Sequence, residues 1–315
     1  MPPSSAPAHR LQACLHATPP AAGTGIRLAL WQGCGDAGAA AARDENLLRL
    51  ERVAALAAGH GAQLLTFPEL YLSGYIVTPE LARRLAEPLD GPSLQRVAAA
   101  ARRHCLAIAC PYPERATVAG EERFYDAIAL FDSSGALLRN YRKTHLWGPD
   151  ERRCWSPGYL HPEEGPALTV QEVNGIGVGL LNCYEAEFPE LTRALALAGA
   201  QLVLIPTAAD TWAQLSDGRR TERPYPDISR TLLPAHAFEN GCFIAYANRC
   251  GEETVAGRPM AAYLGNSVIV GPHGDLLAAA RPEPTLLLAD CLPGEYGPTH
   301  PAGTRYHDDR RPELY

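Results

Sequence analysis

Three ionisable residues close apolar runs in this chain. Glu69 ends QLLTFPE, Lys143 ends ALLRNYRK and Cys183 ends GVGLLNC. Such runs read as strands, and in open α/β sheets ligand sites gather beyond the carboxyl ends of strands. Neighbouring strands could bring the three together across separations of 74 and 40 residues. A carboxylate, an ammonium and a thiol make a working set. The carboxylate can take the thiol proton, and the ammonium can stabilise both the thiolate and an oxyanion formed from a substrate. A free thiol, with a pKa of about 8.5, needs such help at neutral pH. Without a positive partner, Glu185, Glu187 and Glu190 would make the Cys183 thiolate harder to form. Each signal alone has a bland reading. Strand-end Glu and Lys are common surface groups, and an isolated Cys is commonly a small buried apolar residue.

The elements that must position these residues alternate. IRLALWQG, AQLLTFPE, CLAIACPYP, GIGVGLLNC, QLVLIPTAA and CFIAYANRCG read as strands. ARDENLLRLERVAALAAGHG, with Asp44 as its possible N-cap, reads as a helix, as do GPSLQRVAAAARRH, EFPELTRALALAGA and ISRTLLPAHAFENG. FYDAIALFDSSGALLRNYRKTHL reads as two strands joined at DSSG, and LGNSVIVGPHGDLLAAA and PTLLLADC complete the series. Alternation implies helices packed on sheet faces, and the hairpins require mixed rather than purely parallel sheets. Glu185, Glu187 and Glu190 read as acids at the start of a helix, where the dipole favours them.

The 315 residues, 46% of them hydrophobic, are enough for a substantial core. We read one domain over residues 26–290. Residues 1–25, rich in Pro, Ala and Ser, read as a disordered arm rather than a secretory signal. The polar tail 291–315 either wraps the domain or docks on a partner subunit. A net charge of −7 without a basic run excludes a nucleic-acid partner, and no stretch is apolar enough to span a bilayer. Nine cysteines without C-x-x-C spacing argue against zinc or a disulfide framework and for reduced thiols in the cytoplasm. Nor does their spacing show a resolving partner for a redox sensor.

The flanking residues carry more. FPELYLSGY, YRKTHLWGPDERRCWSPG and LLNCYEAEFPE, in that order, resemble the signatures of the nitrilase, or carbon–nitrogen hydrolase, superfamily. The likeness continues through HAFENGCFIAYANRCG, LGNSVIVGPHGD and DRRPELY, and so covers nearly everything from residue 26 onward. It implies an α/β fold, a four-layer αββα sandwich of two mixed sheets with helices outside. It also implies a homodimer or larger homo-oligomer, with the tail at the subunit interface.

The resemblance assigns Glu69 as base, Lys143 as oxyanion partner and Cys183 as nucleophile, with Glu151 orienting substrate and lysine. A solvated loop acid is the plainer alternative for Glu151. Tyr75, Trp147, Tyr184 and Thr207 are candidate pocket walls, or packing for the surrounding loops. The implied reaction cleaves a small amide to acid and ammonia through a thioester, with no metal or cofactor. Tyr184-Glu185 after the nucleophile, with YLSGY and AYANRCG, looks most like aliphatic amidases. N-carbamoyl hydrolases and ω-amidases are alternatives. An ω-amide would need a cationic partner, for which Arg249 is a candidate, a structural ion pair being its other reading. Many relatives carry Asp where this chain has Glu185, which leaves the role of Glu185 open. The non-enzyme alternative is a catalytically silent oligomeric scaffold, against which the intact triad stands.

Overall fold

A computed structural model describes residues 9–33, 37–75, 78–300 and 302–314. The chain runs through β1 (Arg10–Cys14), β2 (Ile26–Gln32), α1 (Ala40–Gly59), β3 (Leu64–Thr66), α2 (Pro79–Leu85), α3 (Pro92–His104), β4 (Ala107–Val118) and β5 (Glu121–Phe131). It continues with β6 (Leu137–Arg142), α4 (Gly148–Cys154), β7 (Gln171–Val173), β8 (Ile176–Leu180), α5 (Pro189–Leu197), β9 (Leu202–Thr207) and β10 (Asp210–Ala213). Then come α6 (Leu232–Asn240), β11 (Phe243–Asn248), β12 (Cys250–Val255), β13 (Arg258–Leu264), β14 (Val268–Val270), β15 (Leu276–Ala279) and β16 (Thr285–Cys291).

Two large mixed sheets form the centre. One has the order β1-β16-β2-β3-β4-β5-β6, the other β15-β14-β11-β9-β8-β7. Every residue of β2 is buried, and the pleat sends alternate side chains to opposite faces. Ile26, Leu28 and Leu30 meet Val178, Leu180, Leu202 and Leu204 of the second sheet. Ala29 and Trp31 point the other way, onto Leu47 and Leu50 of α1 and Leu94 and Val97 of α3. On the far side, Val203 and Ile205 pack on Leu195 of α5 and Leu233 of α6. Strands covered on both faces read as unbroken apolar runs, which is why these elements were visible in the sequence. The layers are therefore α, β, β, α.

The arrangement that positions the site differs from neighbouring strands of one sheet. β3 and β6, which lead to Glu69 and Lys143, belong to the first sheet but are separated by β4 and β5. β8, which leads to Cys183, belongs to the second. The site is assembled across the sandwich.

Three further expectations are corrected. Arg10–Cys14, expected within a disordered arm, forms β1 and pairs in parallel with β16 along its whole length. Its side chains are largely exposed, so backbone hydrogen bonds rather than apolar burial hold it, and composition gave no sign of that. Residues 1–8 lie outside the described residues. Asp44 lies within α1, whose cap residue is Ala39. Glu151 is not the solvated loop acid of the plainer alternative: Gly148–Cys154 forms α4 with Glu151 buried, and α2 and a third sheet of order β10-β13-β12 add to the expected elements. Within the chain, Tyr296 of the tail packs edge-on to Phe243 and Tyr306 lies against Phe238.

Leu180 packs between the sheets on the strand that delivers the nucleophile candidate. Leu180→Ala should cost about 3 kcal/mol, read as a lowered midpoint in chemical denaturation.

Candidate active site

Lys143 is the centre of the site. Its ammonium lies 2.6 Å from Glu69 Oε1, 2.8 Å from Glu151 Oε1 and 3.9 Å from Asp126 Oδ2. Lys143, Glu69 and Asp126 are completely buried and Glu151 nearly so. Oxygens of the three acids all lie within 4.8 Å of one another, and the lysine provides the positive charge among them. Burial pulls the ammonium toward losing its proton, but Glu151, Glu69 and the other negative groups outweigh it and hold Lys143 well above the usual lysine range.

Three ionised acids around one ammonium would leave a net negative charge with little water to solvate it. Burial, and then the charge of Glu69, push Asp126 well above the carboxylate range, so Asp126 keeps its proton. Glu69 Oε2 and Asp126 Oδ2 are both buried without a hydrogen-bond partner of good geometry. Burial also raises Glu151, against the pull of Lys143.

Cys183 is 4% exposed. Burial and the charge of Glu69 push its thiol well above the ordinary range, while Lys143 and the Ala208 main chain act in the opposite direction. The resting sulfur is therefore a thiol. Its φ of +54° lies in the left-handed region, a strained conformation for a residue with a Cβ. The kink turns the chain abruptly from β8 into a 3-10 turn over Cys183–Glu187. The first N–H bonded back in that turn is that of Glu185, to the Asn182 carbonyl, so the Tyr184 N–H precedes the bonded series.

Supporting bonds fix each of these groups. Arg249 donates to the Glu69 carbonyl at 3.1 and 2.8 Å and to the Leu70 carbonyl at 2.8 Å, and it pairs with Glu253 at 3.1 Å. It is thus a structural residue, engaged with the main chain of Glu69 and Leu70. Asn182 Nδ2 donates to Asp126 Oδ1 at 2.9 Å, linking the acid to the residue before Cys183. Glu151 accepts from the Tyr75 hydroxyl and the Trp147 N–H, both at 2.7 Å.

Glu185 is fully buried rather than a solvated acid at a helix start. It accepts from the Thr144 N–H at 2.7 Å and the His145 N–H at 3.2 Å. It also accepts from the Tyr141 hydroxyl and the Asn182 N–H, both at 2.8 Å. Burial raises its carboxyl, but these donors, with the His145 side chain, hold it below the usual range. Glu185 thereby ties the turn that bears Cys183 to the residues following Lys143. Sequence reasoning missed this clamp and also missed Asp126. Asp126 had a signal, a single acid amid the apolar run of FYDAIALF.

Two adjoining cavities lie beside the cluster, and the first of them reaches Glu151. One, of about 110 Å³, is lined by Tyr75, Trp147, Glu151, Trp155, Asp210 and Met260 among others. The second, of about 200 Å³, shares Trp147 and Asp210 and adds Glu187, Tyr225 and Arg223. Cys183 lines neither, but it lies close enough to Tyr75 and Tyr225 on their walls for a thiolate there to raise both phenols. Tyr184 and Thr207 also line neither. The Tyr184 ring packs edge-on against Phe188, and Thr207 Oγ1 donates to the Ile205 carbonyl at 3.2 Å. Of the pocket candidates, the structure brings Tyr75 and Trp147 to the cavity.

The carbon–nitrogen hydrolase family model matches residues 27–300. The chain belongs to this family. Among curated relatives, it is 40% identical over 270 residues to "Hydrolase in pqqF 5'region" from Pseudomonas protegens, covering 86% of this chain and 85% of that one. It is 37% identical over 235 residues to an (R)-stereoselective amidase from a Pseudomonas species, covering 75% and 74%. The crystal structure of an amidase from a Nesterenkonia species superposes with a TM-score of 0.69 at 32% identity, covering 93% of this chain and 95% of that one. A mutant of the Nesterenkonia enzyme, described as carrying acrylamide added at its active-site cysteine, gives a TM-score of 0.67 at 32% identity, with 92% and 98% covered. The four-layer architecture of this chain is thus that of nitrilase-superfamily amidases.

Two outcomes test the electrostatics. Glu69→Gln removes a negative charge beside the thiol, so the Cys183 thiol should titrate at lower pH. The pH dependence of Cys183 alkylation by iodoacetamide, followed by peptide mass spectrometry, reads that shift. Asp126→Asn keeps a donor toward Glu69 and should stay near wild-type stability. Asp126→Leu strands the buried Asn182 Nδ2 and should cost about 1–3 kcal/mol in a denaturant melt.

Proposed function

We propose that the protein hydrolyses small aliphatic amides to acid and ammonia through a Cys183 thioester, as a cytoplasmic homo-oligomer. The observation that carries the reading is the buried Lys143 ammonium held between Glu69 and Glu151 beside a thiol on a strained turn. Glu69 takes the Cys183 proton as the sulfur attacks the amide carbon. Lys143 and the Tyr184 N–H stabilise the resulting oxyanion. Glu69 returns the proton to the nitrogen as the C–N bond breaks and ammonia leaves. Water then attacks the thioester with Glu69 as base, and the acid departs as the sulfur regains its proton. Glu151 holds Lys143 in place and, through its own acceptor oxygens, fixes Tyr75 and the Trp147 main chain.

The small cavity volume supports a short acyl group. The acrylamide adduct at the active-site cysteine of the Nesterenkonia amidase supports a sulfur nucleophile. Arg249 is fully engaged with Glu253 and the Glu69–Leu70 carbonyls, which counts against its serving an ω-amide carboxylate. Among the described residues, Cys14, Cys105, Cys110, Cys183, Cys242 and Cys291 are free thiols, which supports a reducing compartment. Among the described residues, no helix is long and apolar enough to cross a membrane.

Cys183→Ala should abolish ammonia release from propionamide while its circular dichroism and melting transition stay close to wild type. Wild-type turnover in that variant would sink the mechanism.

A further inference from the structure

Asp210 opens β10 and is 4% exposed, yet its carboxylate has no hydrogen-bond or ion-pair partner among the described residues. Its main chain is engaged, since its carbonyl accepts from the Tyr225 N–H at 2.9 Å and it pairs in register with Tyr263. The side chain is the unmatched part. Burial raises its pKa to about 6, which leaves it mostly ionised at neutral pH. The carboxylate thus faces cavity space rather than a protein donor, and a group that enters the cavity can supply the missing donor.

Its place in the fold shows where that donor comes from. With Trp147, Asp210 lines both cavities, the smaller carrying Glu151 and Tyr75 and the larger carrying Glu187 and Tyr225. Glu187 is already bonded to the Tyr225 hydroxyl. Arg223, exposed on the outer cavity, forms no ion pair with Asp210. The Lys143 charge is taken up by Glu69 and Glu151. The space beside the catalytic cluster is therefore negative overall, and its aromatic walls, Trp147 and Tyr225, are themselves good neighbours for a cation. A substrate with a carboxylate tail would be repelled there, and one with an ammonium would complete Asp210.

We propose that Asp210 is an ammonium-binding subsite, and that the substrates best suited to this protein are short primary amides carrying a protonated amine. The proposal rests on the amidase reading above and narrows it to a charge class. The ammonium donates to Asp210 while the amide carbon is presented to Cys183.

The test compares kcat/KM for aminoalkyl amides and their neutral isosteres, β-alaninamide against butyramide and γ-aminobutyramide against valeramide. One charge-assisted hydrogen bond in a largely enclosed site gives about tenfold to a hundredfold. Wild type should favour at least one amine-bearing member by that margin. The preference should collapse in Asp210→Asn, chiefly through KM, and persist in Asp210→Glu. A wild-type ratio at or below one for both pairs overturns the subsite, as does an unchanged ratio in Asp210→Asn. The wild-type ratio decides the matter even if the Asn variant fails to fold. Binding is read separately, as thermal stabilisation of the Cys183→Ala protein by β-alaninamide beyond that by butyramide. If no amide is turned over but this stabilisation appears and is lost on adding Asp210→Asn, the subsite stands and the amidase reading falls. If neither turnover nor selective stabilisation appears, both fall.

Discussion

An ammonium sealed among carboxylates is costly to bury and costly to disturb. Lys143 has no exposed surface and two close carboxylate partners, so its charge is maintained only because Glu69 and Glu151 are held at hydrogen-bond distance. The acids are equally dependent on it. Remove the lysine, and three buried carboxyl groups face one another with no counter-charge. The cluster is therefore mutually defining: each group's protonation follows from where the others stand. Burial and the charge of Glu69 push Asp126 well above the carboxylate range, so of these acids it is the one whose protonated form is most favoured.

Such a cluster needs rigid supports, and the supports are themselves charged. Arg249 grips the carbonyls of Glu69 and Leu70 from beneath, and Glu253 neutralises it. Glu185 gathers donors from the segment after Lys143 and from the turn that bears Cys183. Each is a buried ion with nearly all of its hydrogen-bonding capacity used, which is the condition under which burial of charge is tolerated. This second ring of ions fixes main chain rather than substrate.

The sequence disclosed the layers because strands covered on two faces become apolar runs, as in IRLALWQ and QLVLIPT. It disclosed Glu69, Lys143 and Cys183 because each ends such a run and sits in a family signature. It could not show that their strands belong to two different sheets, since sheet membership is decided by packing between distant segments. β1 escaped because edge pairing through the backbone leaves no apolar pattern. Glu185 was read as a helix acid because the local sequence CYEAE carries no trace of the Tyr141, Thr144 and His145 donors that reach it from forty residues away. Asp126 left a trace, an acid in a buried strand, and Asp210 left none that separates it from a loop acid.

The division of the site between the two sheets has a mechanical consequence. Glu69 and the Lys143 ammonium ride on one sheet and the Cys183 sulfur on the other, and what keeps them in alignment is the layer of aliphatic side chains between. Misplacement by about 1 Å can cost about a hundredfold in rate. A slight slippage of one β layer over the other would leave every helix and strand intact, and a spectroscopist would judge the molecule native while its chemistry had already stopped. Vigour and foldedness are thus separable properties of this sandwich, and the greasy seam in its middle governs the first.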